Sequence, residues 1–364
     1  KTMASKRAGK GNNEISGEVG SVDNGGSSSE FLLGRVIGRG SFGTVHQATW
    51  ITRKRPVAIK VVDLEKRNVE DAWREVKIMA ILDHPNILSH IDVYSVHHYL
   101  WIVLPLFDMG SFKSIFGRGY ENGLKDSSIV ATIMKNILEA ICHIHNRGFV
   151  HKDIKGDNVL LNSDGRVAVC DFGTACETTM KSKGEMQRFE GTPHHMPPEV
   201  VMGAVYGFER TQSTTCVTEY AKEEIVTKSE SHPSSSIAKL KSKRMEFCVP
   251  SAPDIWACGI TTLQLGHGRA PYENEEMLQV TKRIARGPPP TAAVYGKASY
   301  KFSKSFHEFV ASCLVMDPGS RPSASQLLKH KFIRKYSRST SWLREKLVIP
   351  LLKHSAYSKL EIKE

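Results

Sequence analysis

Three residues inside one six-residue span point to phosphoryl chemistry. In His151-Lys152-Asp153-Ile154-Lys155-Gly156-Asp157-Asn158, Asp153 is spaced to orient a substrate hydroxyl and take its proton. Lys155 would neutralise a transferring phosphoryl, and Asn158 would offer an amide oxygen to Mg2+. Asp171-Phe172-Gly173 follows, with a second metal ligand at a strand end. One such cluster reads equally well as a charged turn, so its weight depends on what precedes it.

A glycine run precedes it. Gly38-Arg39-Gly40-Ser41-Phe42-Gly43-Thr44-Val45 has the G-x-G-x-x-G-x-V pattern, which lets backbone N–H groups approach phosphate oxygens. Alone it is weak evidence, since a dinucleotide fingerprint or a plain glycine hairpin shares it. A dinucleotide loop needs a helix directly after it, and VHQATW reads as strand. Val57-Ala58-Ile59-Lys60 then places an ammonium on an apolar strand, which is costly without partners. ATP phosphates and a carboxylate would supply them. Glu75 is the candidate carboxylate and Glu70 its rival. Glu75 has Met79 one turn further on the apolar face, so its side chain points toward the strands.

The elements that must hold these groups follow from periodicity. FLLGRVIG, GTVHQATW and PVAIKVVDL read as three strands joined by glycine turns, and IDVYSV and YLWIVL as two more. Residues 69–82 repeat apolar positions at helical spacing. Together these make a small lobe over residues 30–105. From 106 to 333 the chain becomes mainly helical, with helix patterns at 127–147, 254–266, 274–286, 303–316 and 323–330, the first opened by Ser127 or Ser128 as cap. Residues 1–29 read as a disordered arm. Residues 207–250, rich in Ser, Thr, Lys and Glu, read as a disordered insertion with one short helix near 217–226. In the tail, 334–364, SWLREKLVIPLLK reads as an amphipathic helix.

Composition excludes little. Of 364 residues 40 % are hydrophobic and 24 % charged, as in ordinary globular chains. The net charge of +12 raises nucleic acid or a membrane surface as partners. The cations are spread along the chain, however, and an enzyme handling phosphate needs them, so neither partner is expected. Seven cysteines without a C-x-x-C pair suit a reducing compartment, hence the cytoplasm, with the nucleus as alternative. No apolar run approaches the ~18 residues of a membrane span. The run Lys239–Arg244 reads as solvated loop before nuclear import signal, and Cys170 as a small buried hydrophobe before redox switch.

Taken together, the four constellations resemble the protein kinases, and the resemblance covers about residues 31–333. Pro197-Pro198-Glu199, Asp254-x-Trp256-x-x-Gly259 and Arg321-Pro322 extend it. LWIVLPLFDMGS, HKDIKGDN, EGTPHHMPPEV and RPSASQLLKHKF are similar to the Sterile-20 group, in the branch of Fray and the oxidative-stress-responsive kinases. The resemblance implies an α+β bilobal fold, with a five-stranded antiparallel small lobe carrying one helix and a larger helical lobe. It implies ATP with Mg2+, or Mn2+ in its place, and protein substrates with Ser or Thr acceptors, with an upstream kinase or scaffold. Lys155 with Thr192 is similar to the serine/threonine-specific pattern. The resemblance further implies Leu104 as gatekeeper, the backbone of Pro105 and Phe107 against adenine, and Val45, Ala58 and Leu160 around its ring. Glu199 is expected to pair with Arg321, and Asp254 to brace the catalytic loop. A pseudokinase scaffold is the rival reading, and intact Lys60, Asp153, Asn158 and Asp171 argue against it.

Three departures stand out. Lys152 replaces the usual arginine of H-R-D and cannot form a bidentate phosphate pair. Arg188 occupies the position where the related branch has a phosphorylated threonine. The reading that follows is a fixed charge from Glu190 on Lys152, with a phosphate on Thr178, Thr179 or Ser182 as the alternative. His194-His195 stands where the group has an aromatic residue, which alters the substrate groove. A metal reading of that pair lacks a third ligand at zinc spacing.

Overall fold

The computed structural model describes residues 28–40, 43–178, 191–206, 250–298 and 301–354. The expectations for 1–27, Ser41, Phe42, Thr179, Ser182, Arg188, Glu190, the helix near 217–226 and the rest of 207–249 lie outside the described residues.

Five strands build the small lobe: β1 (Phe31–Gly40), β2 (Gly43–Trp50), β3 (Arg55–Asp63), β4 (Asp92–Val96) and β5 (Tyr99–Pro105). They pair antiparallel in the order β1-β2-β3-β5-β4. The β-branched run of β3 occupies the centre because both its faces are covered, and Val57, Ile59 and Val62 are fully buried. Helix α1 (Val69–Ile81) packs against the sheet. Asn68 caps it by accepting the amides of Glu70 at 2.8 Å and Asp71 at 3.4 Å. The acids of its first turn also suit the positive end of the helix.

The chain passes once into the large lobe, through β6 (Gly110–Ser111) and α2 (Phe112–Phe116). Helix α3 (Ser127–Asn146) runs through the centre of that lobe. Its cap is Asp126, whose carboxylate accepts the Ser128 amide at 2.6 Å, rather than Ser127 or Ser128. The serines instead begin the first turn, one position inside the helix. By length and composition α3 could cross a membrane, but 61 % of its apolar window is buried among other helices, as a core helix requires. Short strands β7 (Phe149–Val150), β8 (Val159–Leu161), β9 (Val167–Val169) and β10 (Cys176–Glu177) follow.

Helix α4 (Pro198–Tyr206) leads to α5 (Ala252–His267), the most enclosed helix of the lobe. At Gly259 a Cβ would sit 2.7 Å from the Leu314 side chain and 2.8 Å from that of Cys313, so this close helix crossing requires glycine. Helices α6 (Met277–Arg286), α7 (Lys304–Cys313), α8 (Ala324–Leu328) and α9 (Lys331–Tyr336) complete the bundle. Beyond them, α10 (Thr340–Leu343) continues as a π-turn over Arg344–Val348 and as helix through 349–354. Leu343, Leu347, Val348 and Leu351 are buried by this segment, and Arg344 Nε donates to the Ser163 carbonyl at 3.1 Å. One apolar core runs from Ala58 and Val76 in the small lobe, through Leu104 and Phe107, to α3, α5 and this tail.

Candidate active site

The apolar part of the site is set by strand register. Gly38 lies opposite Val45, and Gly40 opposite Gly43 at the tip of the β1–β2 hairpin. A Cβ on Gly43 would fall 2.0 Å from the Val61 carbonyl oxygen of β3, so the hairpin can lie this close only without a side chain. Val45 faces Lys60, and Ala58 faces Leu104 in the next strand pair. Leu104 and Phe107 are buried, while Val45 and Leu160 are half-buried and pack on the same core. Pro105 ends β5 opposite Val57. Val45, Ala58, Leu104, Phe107 and Leu160 thus all belong to, or pack on, one apolar core. Ser41 and Phe42, at the tip itself, lie outside the described residues.

The charged part of the site begins at Lys60 of β3. Lys60 Nζ meets Glu75 Oε1 at 2.5 Å and lies 3.8 Å from Asp171 Oδ1. Glu75 is the partner because it lies on the buried face of α1, whereas Glu70 stands exposed in the first turn. Burial alone would lower the Lys60 ammonium, but the Glu75 and Asp171 carboxylates outweigh it and hold it above the ordinary lysine value. Burial likewise works against the charged form of Glu75. Lys60 and then Arg67 reverse this, and its carboxyl titrates below the usual range. Arg67 Nη1 donates to Glu75 Oε2 at 2.7 Å, a contact no motif indicated.

The Asp153 carboxylate is the hub of the second cluster. Its Oδ2 accepts Lys155 Nζ at 2.7 Å and Asn158 Nδ2 at 2.9 Å. Its Oδ1 accepts the Thr192 amide at 3.0 Å and the Thr192 hydroxyl at 2.9 Å. Lys155 also donates to Thr192 Oγ1 at 2.5 Å. Against the cost of burial, the Lys155 charge and these hydrogen bonds keep Asp153 below the ordinary carboxylate range. The carboxylate is therefore ionised at neutral pH.

The loop carrying Asp153 is held from below. Asp254, fully buried at the start of α5, accepts the His151 amide at 2.9 Å, the Lys152 amide at 2.8 Å and His145 Nε2 at 2.9 Å. Burial disfavours its charge, yet His145 and the loop amides hold its carboxyl low. Lys152 takes φ of 69° and Asp171 φ of 67°, a left-handed backbone uncommon for such residues, stored at the site's two turns. His151 packs on Phe172 with ring centroids 5.0 Å apart, and its Nε2 lies 3.1 Å from the Cys170 carbonyl. Burial pushes the Cys170 thiol up, as a packed sulfur and not a reactive one requires. His195 is buried with Nε2 3.3 Å from Gln264 Oε1, and burial lowers it to about 4. Gln264 also accepts the Gly156 amide at 2.8 Å. Arg67, His145 and Gln264 are the site residues that sequence reading missed.

Asn158 and Asp171, the pair expected to bind a metal, offer the donor set a hard divalent cation prefers, an amide oxygen and a carboxylate. Both Asn158 Nδ2 contacts run to Asp153, which turns the amide oxygen away as the remaining ligand atom. Asp171 is half exposed, with its carboxylate toward Lys60.

Comparison with known proteins accords with this geometry. The protein kinase domain family matches residues 31–231 and 247–333. Serine/threonine-protein kinase fray2 of Dictyostelium discoideum is 30 % identical over 313 residues, covering 85 % of this chain and 26 % of its own length. Germinal center kinase 3 of Caenorhabditis elegans is 29 % identical over 91 % of this chain and 52 % of its own. Serine/threonine-protein kinase ppk11 of Schizosaccharomyces pombe is 30 % identical over 84 % of this chain and 82 % of its own. The chain thus spans a quarter to a half of the first two relatives and most of the third. On the match over most of its length, and with relatives of the Sterile-20 type, this chain belongs to the protein kinase domain family.

Proposed function

We propose that the chain is a serine/threonine protein kinase that transfers the γ-phosphoryl of Mg·ATP to Ser or Thr hydroxyls of other proteins. The observation that carries this reading is the Asp153 carboxylate, ionised and held between Lys155, Thr192 and Asn158. Bound Mg·ATP would supply the transferable phosphoryl, with Mn2+ able to serve in place of Mg2+. Asp153 orients the acceptor hydroxyl and takes its proton, and Lys155 lies within reach to balance charge on the group in transit. Thr192, bonded to both, holds the pair in one geometry. Asn158 and Asp171 would hold the metal ion. Lys60, aimed by Glu75, is the cation for the phosphates. Val45, Ala58, Leu104 and Leu160 would enclose the base, and the backbone at Pro105 and Phe107 would meet its edge.

Protein substrates, with an upstream kinase or scaffold, are the partners this reading calls for. A scaffold without chemistry would have no use for the Lys60–Glu75–Asp171 cluster or for the Asp153–Lys155–Asn158–Thr192 cluster. The test is incubation with labelled ATP and a degenerate peptide library containing Ser, Thr or Tyr acceptors, beside Asp153→Asn. Label on Ser and Thr peptides that disappears in the variant supports the proposal. Label on Tyr peptides alone, or equal label in both proteins, overturns it.

A further inference from the structure

Arg67 belongs to none of the motifs, yet its guanidinium reaches the centre of the site. It stands directly before Asn68, the cap of α1, and folds back along the helix to Glu75. Its Nη1 donates to Glu75 Oε2 at 2.7 Å while Lys60 occupies Oε1 at 2.5 Å. The Arg67 side chain is 9 % exposed and that of Glu75 2 %. Nη2 also reaches the Asp71 carbonyl at 3.5 Å. A methyl group on Gly173 would lie 3.5 Å from Arg67 Nη2 and 3.8 Å from Glu75 Oε2, so both groups rest against the turn that carries Asp171.

We propose that Arg67 is a positioning residue for Lys60, acting through Glu75; the proposal rests on the kinase reading above. A carboxylate with a cation on one oxygen can rotate about its side-chain bonds. With a cation on each oxygen its plane is fixed, and Lys60 is fixed with it. Charge gives a second reason. Lys60 and Glu75 together with Asp171 carry a net formal charge of minus one, which would repel phosphate. Arg67 makes the cluster neutral and leaves the Lys60 ammonium available to an anion. Lysine in place of Arg67 would keep the charge but lose the fork that reaches Glu75 and Asp71 at once.

The experiment uses Arg67→Met, which retains an apolar stem, and Arg67→Lys. Three quantities are read for each: affinity for Mg·ADP by calorimetry, kcat and KM on a peptide, and melting temperature without nucleotide. Arg67→Met is expected to weaken Mg·ADP binding about tenfold and lower kcat by roughly 10–100-fold, the scale at which losing a supporting contact degrades a site. Arg67→Lys should recover part of both. A lower melting temperature with nucleotide affinity and kcat unchanged assigns Arg67 a merely structural role and overturns the proposal. A gain in affinity or rate also overturns it, making Arg67 a competitor of Lys60 for Glu75. If the wild-type chain binds Mg·ADP but labels no peptide, the kinase reading fails, while the affinity comparison still decides the role of Arg67.

Discussion

Glu199 and Arg321, 122 positions apart, meet in a two-pronged ion pair with both side chains buried, Nη1 to Oε1 at 2.5 Å and Nη2 to Oε2 at 2.7 Å. Arg321 also donates to the carbonyls of Val315 and Ala252 and lies over the Trp256 ring. Such a pair ties the segment after Thr192 to the far side of the large lobe. Glu199→Gln or Arg321→Met alone would leave a buried charge uncompensated, at about 3–5 kcal/mol. The double variant should cost less than the sum of the two. Chemical denaturation of all three checks this, and additive losses would contradict it.

Asp153→Asn should reduce peptide phosphorylation by ~10²–10⁴, because the amide cannot take a proton, and should also lower the melting temperature, because its NH2 meets donors where a carboxylate oxygen accepted. Lys60→Met should be comparably inactive and bind nucleotide more weakly, since it removes the only ammonium joining Glu75 to Asp171 among the described residues. Wild-type rates in either protein would contradict these assignments.

The two hairpin glycines should respond differently to alanine. At Gly43 a Cβ would collide with the Val61 carbonyl at 2.0 Å, forcing β2 from β3 and opening the site. At Gly38 it would meet Val45 at 3.5 Å, an ordinary contact. Gly43→Ala should therefore lower both stability and nucleotide affinity, by about 1–3 kcal/mol in stability, and Gly38→Ala should cost well under that. Equal effects on melting temperature would show that the strand spacing is more pliant than this.

Acid should weaken the fold before its carboxylates titrate. His195 and His267 are buried, and burial first of all lowers each from 6.5 to about 4. His267 also stacks on Tyr295 at 3.8 Å, with Lys125, His307 and Arg269 adding to the effect of burial. The unfolded chain thus binds more protons between these values. The contribution is fully present above pH 6.5 and is lost as pH falls toward 4, roughly 3 kcal/mol for each group. Glu75, Asp153 and Asp254, all held low, extend the loss to more acid pH. Urea unfolding of wild type and His267→Phe at pH 7.5 and 4.5 tests this, and the variant should lose less stability between the two.

Sequence alone carried the motif residues and the strands that present them, since both are local. β2 begins and ends where alternation and glycine placed it, at Gly43 and Trp50, and Lys60 lies on the apolar run that surrounds it. Helical spacing favoured Glu75 over Glu70 because side-chain direction follows from position along a helix. A cap was less legible: Asp126, Ser127 and Ser128 are all good candidates, and the entry angle of the chain selected Asp126.

Tertiary structure decided the contacts whose partners are far apart or whose direction depends on a loop. Asp254 reaches His145 and the loop carrying Asp153 across more than a hundred positions, and Gln264 reaches Gly156 across 108 positions and His195 across 69. No periodicity encodes such pairs, because they arise only when α5 packs beneath the loop. Arg67 is near Glu75 in the chain, yet nothing local turns a residue ahead of a helix back along it. That turn comes with the burial of Glu75 between sheet and helix, where each carboxylate oxygen needs a hydrogen-bond donor and Arg67 serves the second.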